Sequence, residues 1–253
     1  MKFMAFFFLI LLIYIGINGW LFHALLQTTR QWHVAGKIVI SMVYWLLAIS
    51  FFLMQVWRDK LPVETGHWLY WISNGWLAFF FYLALLYGIA MLLKLVGLRI
   101  PHAFVWCTGA TALLLICGYI HFDRPMVRRI KLDLPHSAPM RIVAVSDVHL
   151  GYGITRGRLQ RYVDLINSQH PDLILIAGDL IDMSVAPLWK ERMQDELNRL
   201  QAPMGIYMVP GNHEYISGIR QSTAFIEQTR ITLLRDSVVR LPNGIQLAGR
   251  DDR

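Results

Sequence analysis

Charge is what this sequence has least of, and the shortage is local. Only 16% of its 253 residues are Asp, Glu, Lys or Arg, against about a quarter in ordinary soluble chains. Up to Asp123 there are seven Lys or Arg and three Asp or Glu, whereas from Arg124 onward there are seventeen and fourteen. One soluble core does not distribute charge in that way, so a membrane part, 1–123, is expected to precede a soluble part. Cysteine is almost absent. Cys107 and Cys117 fall in one apolar stretch, about 80° short of facing the same way at helical spacing, so they cannot pair there and say nothing of redox compartment. No internal repeat and no low-complexity tract is present, which excludes a solenoid. The net charge of +7 does not form a stripe, so nucleic acid is not expected as a specific partner. Its one dense cluster, Arg128, Arg129 and Lys131, suits anionic lipid headgroups.

Long apolar runs are plentiful. Four stretches, about 3–26, 37–57, 68–93 and 103–122, reach the roughly 20 residues that a helix needs to cross a bilayer. Trp20, Trp32, Trp57, Trp68, Tyr70 and Trp71 stand near their ends, where interfacial aromatics belong. No cleavage site follows the first stretch and three more spans do, so it is not a signal peptide. Within the spans there is no Asp or Glu to relay a proton and no central Lys or Arg, which argues against a transport path and for an anchor. Basic residues near the helix ends favour one side, Lys2, Arg58, Lys60, Arg124, Arg128, Arg129 and Lys131, over Arg30, Lys37, Lys94 and Arg99. That bias favours the cytoplasmic face for both termini and for the soluble part of a multi-pass membrane protein.

After a connector, 124–140, which includes a candidate edge strand at Val127 to Leu134, the period changes. Arg141 to Ser146 reads as a buried strand and Arg158 to Ser168 as a helix with Leu159, Tyr162, Val163 and Ile166 on one face. Strands follow at Asp172 to Ala177 and Gly205 to Val209, with a helix between them around Leu188 to Leu200. A helix near Thr223 to Thr229 leads to a strand at Ile231 to Leu234. Asn243-Gly244 then predicts a hairpin joining Val238 to Leu241 and Ile245 to Ala248. This alternation implies a largely parallel sheet covered by helices over 141–253, with ligands gathered beyond the carboxyl ends of the strands.

Those ends carry the polar residues. The first runs into Asp147-Val-His149-Leu-Gly151, the second into Gly178-Asp179-Leu-Ile-Asp182, the third into Gly211-Asn212-His213-Glu214. If strand geometry persists, Asp147 and His149, two apart, leave from the same side and can grip one ion. Asp179 has two oxygens with which to bridge two cations, and Asn212 adds a carbonyl oxygen to the second. Oxygen and imidazole ligands without thiolate suit Mn, Fe, Zn, Co or Mg. Two such cations about 3.5 to 4 Å apart are suited to phosphoester hydrolysis. His136 and His170 read as loop residues, and Asp251 and Asp252 as a solvated terminus.

Asp147-x-His149, Gly178-Asp179-x-x-Asp182 and Gly211-Asn212-His213-Glu214 together resemble the first three signature blocks of the calcineurin-like metallophosphoesterase superfamily. The helical anchor resembles its bacterial membrane-bound branch. The resemblance implies a sandwich-type α/β domain and two divalent metal ions: Asp147 and His149 on the first, Asp179 bridging, Asn212 on the second. It also implies that His213 stabilises or protonates the leaving oxygen, with Asp182 or Glu214 orienting it. Members of the family continue with a further metal-binding histidine and a Gly-His-x-His block, whereas this sequence stops at Gly249-Arg-Asp-Asp-Arg253. A chain truncated before those motifs is therefore expected, with an apolar sheet edge left exposed. The reading is a membrane-anchored metal-dependent phosphoester hydrolase with a phosphorylated small-molecule or lipid substrate, such as a lipid-linked phosphate or pyrophosphate. The alternative is a catalytically incomplete membrane protein whose soluble half binds one metal weakly or serves as an interaction module.

Overall fold

Apolar side chains all round a helix leave it no face to give to water, and the first four helices are of that kind. The computed structural model describes residues 2–58, 60–133 and 139–252. It places α1 at Lys2–Thr28, α2 at Val34–Trp57, α3 at Val63–Leu95 and α4 at Ala103–Phe122, each long and apolar enough to cross a membrane. The chain divides into two units. The first joins residues 1–57 with 68–126, the second joins 58–67 with 127–253.

In the first unit, Leu21, Tyr44, Ala48, Trp76, Phe80 and Leu83 form a buried cluster. Lipid is as apolar as these side chains, so shape and hydrogen bonds must hold the helices together. The Tyr44 hydroxyl donates to the Asn18 carbonyl at 2.9 Å, the Tyr14 hydroxyl to the Ala48 carbonyl at 2.8 Å, and Trp76 Nε1 to the Tyr14 hydroxyl at 3.3 Å. Asn18 is fully buried, and its side chain is satisfied there by donating Nδ2–H to the Tyr14 carbonyl at 2.9 Å and accepting the Tyr44 hydroxyl on Oδ1 at 3.1 Å. Both cysteines are free.

The second unit is α/β, as the alternation of periods requires. Its strands β1 (Ile142–Val145), β2 (Leu173–Ala177), β3 (Ile206–Val209) and β4 (Ile231–Leu233) form one parallel sheet in that order. Helices α5 (Arg156–Asn167), α6 (Ala186–Lys190), α7 (Met193–Leu197), α8 (Asn212–Ile216) and α9 (Ile219–Ile226) intervene, and β5 (Ser237–Arg240) pairs antiparallel with β6 (Gln246–Gly249) in a separate hairpin. Register aligns Val143, Ile174, Ile206 and Ile231 on one face, where they meet Leu159 and Val163 of α5, Leu197 of α7 and Phe225 of α9. Each such side chain contributes about 1.5–3 kcal/mol when buried. Tyr162 and Ile166 pack against the same core, so the predicted face of α5 is the buried one. The opposite sheet face is more open: Ile142 is 46% exposed.

Three differences from the sequence reading are local. The helix expected from Leu188 to Leu200 is broken into α6 and α7, with Arg192 in the left-handed region at φ 54°. α8 has only five residues, too few for a period to register. Residues 127–133 form no strand; Leu134 and His136 lie outside the described residues.

Candidate metal centre

The predicted blocks converge because the loops after β1 and β2 continue side by side once the strands have ended. Backbone N–H groups of Asp147, His149 and Leu150 donate to the carbonyls of Gly178, Asp179 and Leu180 at 3.3, 3.0 and 2.8 Å, and Asp182 N donates back to Leu150 O at 2.9 Å. The strand geometry invoked for Asp147 and His149 does not persist. β1 stops at Val145, and Asp147, His149 and Asp179 all take left-handed backbone, at φ 53°, 52° and 51°. An L-residue there costs roughly 1–2 kcal/mol, less for Asp and Asn, whose side chains can bond locally. Three such residues in adjacent turns are the kind of strain that gathers at functional sites.

His149, Asp179 and His213 each offer a ligand atom, all within 4.8 Å of one another and all half-buried. The imidazoles of His149 and His213 meet edge to face, with ring centres 4.4 Å apart. Asp179 Oδ1 accepts the His213 backbone N–H at 2.9 Å, which leaves Oδ2 for a cation. Asp147 lies at the rim, its side chain 67% exposed, with Oδ1 4.0 Å from His149 Nε2. That is within the span of two atoms bound to one ion at about 2.1 Å each. Asn212 opens α8 with an exposed side chain. The structure thus brings His213 into the metal-capable group, a place the sequence reading gave to Asp147, His149, Asp179 and Asn212.

Asp182 sits behind both imidazoles and is nearly buried. Its Oδ1 is 3.5 Å from His149 Nδ1 and 3.3 Å from His213 Nδ1. The second approach is not aligned for a hydrogen bond, so His213 Nδ1 is buried without a partner. A carboxylate against His149 Nδ1 favours the tautomer that leaves the His149 Nε2 lone pair for a cation. Burial raises the Asp182 carboxyl above the ordinary range, partly offset by the two imidazoles. An imidazole pair set against carboxylates fits a divalent cation of the borderline class.

Glu214 does something the sequence did not reveal. It is fully buried, and its carboxylate does not reach an imidazole. Oε2 accepts Gly211 N at 2.7 Å and Asp179 N at 3.0 Å, while Oε1 accepts Ile181 N at 2.9 Å. The side chain ties the loop after β2 to the loop after β3. Glycine is required where those loops touch: a Cβ on Gly178 would lie 2.9 Å from the Gly211 Cα, and one on Gly211 would strike the Asp179 carboxylate. Asp251, expected to be solvated, is instead held by the Tyr215 hydroxyl at 2.6 Å and by Arg235 at 2.8 Å, its side chain 1% exposed.

The family model for the calcineurin-like phosphoesterases matches residues 140–246. That stretch is a calcineurin-like phosphoesterase domain. Relatives of the chain include a transmembrane protein with metallophosphoesterase domain from Danio rerio, 34% identical over 42% of this chain and 25% of its own length. An uncharacterized metallophosphoesterase of Campylobacter jejuni is 25% identical over 87% of this chain and 62% of its own. UDP-2,3-diacylglucosamine pyrophosphatase LpxG of Chlamydia trachomatis is 32% identical over 35% of this chain and 28% of its own. The chain spans 25% to 62% of the length of the curated relatives it matches. No solved structure matches it significantly. The phosphoesterase domain contains all three strand-end blocks, and the Campylobacter alignment must extend into the apolar helices, since the second unit's 127–253 is only half of the chain.

Proposed function

We propose that the chain is a membrane-anchored, divalent-metal-dependent phosphoester hydrolase. The observation that carries the reading is the convergence of His149, Asp179 and His213 at the ends of neighbouring strands, in a domain of the phosphoesterase family. In this reading Asp147, His149 and Asp179 would hold one cation, and Asp179 and Asn212 would serve a second. Bound cations would supply a hydroxide at neutral pH and draw charge from the phosphoryl oxygens. His213 faces the leaving oxygen and donates a proton to it, Asp182 holds the imidazoles of His149 and His213 in orientation, and Glu214 keeps the two ligand loops together. The left-handed turns present these groups before substrate arrives, so little reorganisation is left for the reaction itself.

The four apolar helices anchor the enzyme, with the phosphoesterase domain on the cytoplasmic side of a bacterial inner membrane. Phosphate or pyrophosphate linked to a lipid is the substrate class we favour: one chain carries both membrane-spanning helices and a phosphoesterase domain, and the Chlamydia relative is named as a pyrophosphatase of a diacylated sugar nucleotide. The test is hydrolysis of bis(p-nitrophenyl) phosphate and of a lipid pyrophosphate by the full chain in detergent with Mn2+. Asp179→Asn is expected to abolish turnover, because the bridging oxygen serves both cations. Turnover that ignores this change, or ignores added metal, removes the proposal.

A second reading has one observation in its favour. The metal-capable group among the described residues is a single triplet, which suits one cation held weakly and an interaction role. Calorimetric titration with Mn2+ separates the two: two tight sites exclude the second reading, one weak site excludes the first.

A further inference from the structure

The segment Arg58–His67, which runs from the end of α2 into the start of α3, groups with the phosphoesterase unit, and several of its contacts converge on Tyr152, near the site. Tyr152 stands three positions after His149 and is 2% exposed. Its hydroxyl donates to the Arg58 carbonyl at 2.7 Å. His67 Nδ1 lies 2.7 Å from the Tyr152 carbonyl oxygen, and His67 Nε2 lies 2.7 Å from Glu191 Oε1. Both partners present oxygens to the ring. The His67 and Tyr152 rings meet edge to face at 5.6 Å. Gly66 is pressed against the same tyrosine: a Cβ there would strike the Tyr152 ring. Glu191 then passes the connection on, with Oε2 accepting the Arg156 N–H at 2.7 Å at the start of α5.

What Tyr152 holds is the turn that follows His149. Gly151 N donates to Ile154 O, and Leu150 is paired on both sides with the loop after β2. The Gly151 backbone also abuts Asp182, whose Cβ would be 3.2 Å from an added Cβ. A shift of Tyr152 would be felt at His149, in strained backbone, and at Asp182 behind both imidazoles.

We propose that the Arg58–His67 segment is a positioning element of the metal centre, acting through His67 and the Arg58 carbonyl on Tyr152 and so on His149. This rests on the reading of His149 as a metal ligand. His67 touches neither metal nor substrate and is a positioning residue, and no motif in the sequence points to it.

The experiment uses the full chain in lipid nanodiscs, with Mn2+ binding by equilibrium dialysis, melting temperature, and bis(p-nitrophenyl) phosphate turnover against Mn2+ concentration. Tyr152→Phe deletes one hydroxyl and keeps the ring; His67→Ala deletes both imidazole bonds; His67→Gln keeps the capacity to donate. Each lost bond is expected to weaken Mn2+ binding about three- to tenfold. At saturating Mn2+, kcat should stay within about twofold, and His67→Gln should recover part of the affinity. Glu64→Gln, which removes an exposed 3.7 Å ion pair of the same segment with Lys190, should leave Mn2+ affinity unchanged. Folded Tyr152→Phe and His67→Ala proteins with unaltered Mn2+ affinity overturn the proposal, even if they melt earlier; should His67→Ala fail to fold, Tyr152→Phe decides. Mn2+ binding without turnover in the unaltered chain would count against the hydrolase reading alone.

Discussion

Glu214 is the residue whose replacement tests the site's architecture most directly. Its carboxylate accepts three backbone N–H groups, from Gly211, Asp179 and Ile181, at 2.7, 3.0 and 2.9 Å, and none of the side chain reaches solvent. Hydrogen bonds to a charged group are worth about 1.5–3 kcal/mol each, and a buried donor left without its acceptor forfeits about as much. Three would sum to roughly 5–9 kcal/mol, but they share one acceptor group and the loops can relax, so Glu214→Ala is expected to cost about 3–5 kcal/mol. Glu214→Gln keeps the volume but turns an amide N–H2 toward at least one N–H donor; about 2 kcal/mol is expected. Hydrogen exchange with mass spectrometry on 178–182 and 210–214 reads this locally. At 1.4 kcal/mol per factor of ten, Glu214→Ala should speed exchange at Asp179, Ile181 and Gly211 by about a hundredfold to three-thousandfold, and Glu214→Gln by about thirtyfold. Unchanged exchange at those amides in a folded Glu214→Gln protein would refute the clamp. If turnover nevertheless fell, Glu214 would act on His213 as the sequence reading supposed.

Gly178→Ala should cost about 2–3 kcal/mol, since it combines φ +80° with a 2.9 Å approach to backbone; a melting temperature equal to that of the unaltered protein would contradict the contact. Gly211→Ala should cost both stability and metal affinity, because the added Cβ strikes the Asp179 carboxylate and also comes 2.8 Å from the Asp179 backbone nitrogen; Mn2+ titration is the check, and undiminished affinity the adverse result. Glu196 is held below the ordinary carboxylate range by hydrogen bonding to Arg199 and then to Arg156. Its contribution to stability is therefore present above the ordinary Glu range and lost as pH falls toward the depressed value. Melting curves from pH 7 to pH 3 should show that loss, and Glu196→Gln should flatten it; identical pH profiles would rule the cause out.

The sequence by itself determined the materials and their order. Charge scarce in the first 123 residues, with apolar runs of spanning length, required helices that lipid can surround. The change to short apolar strands and amphipathic helices after Arg141 required a parallel sheet with a helical cover. The three strand-end blocks pointed to loops that the structure brings side by side, because polar residues recurring beyond apolar strands have few other places to go. Tertiary structure alone decided how those residues meet. The left-handed turns at Asp147, His149 and Asp179 come from pairing between loops far apart in the chain, which leaves no local signal beyond the glycines beside them. Glu214 reads as one more polar residue until three amides from two loops converge on it. His67 and Tyr152, 85 positions apart, have no shared period or motif to announce a contact. Periodicity reports which face of an element is buried; which loop lies against which is settled only when the strands take their places in the sheet.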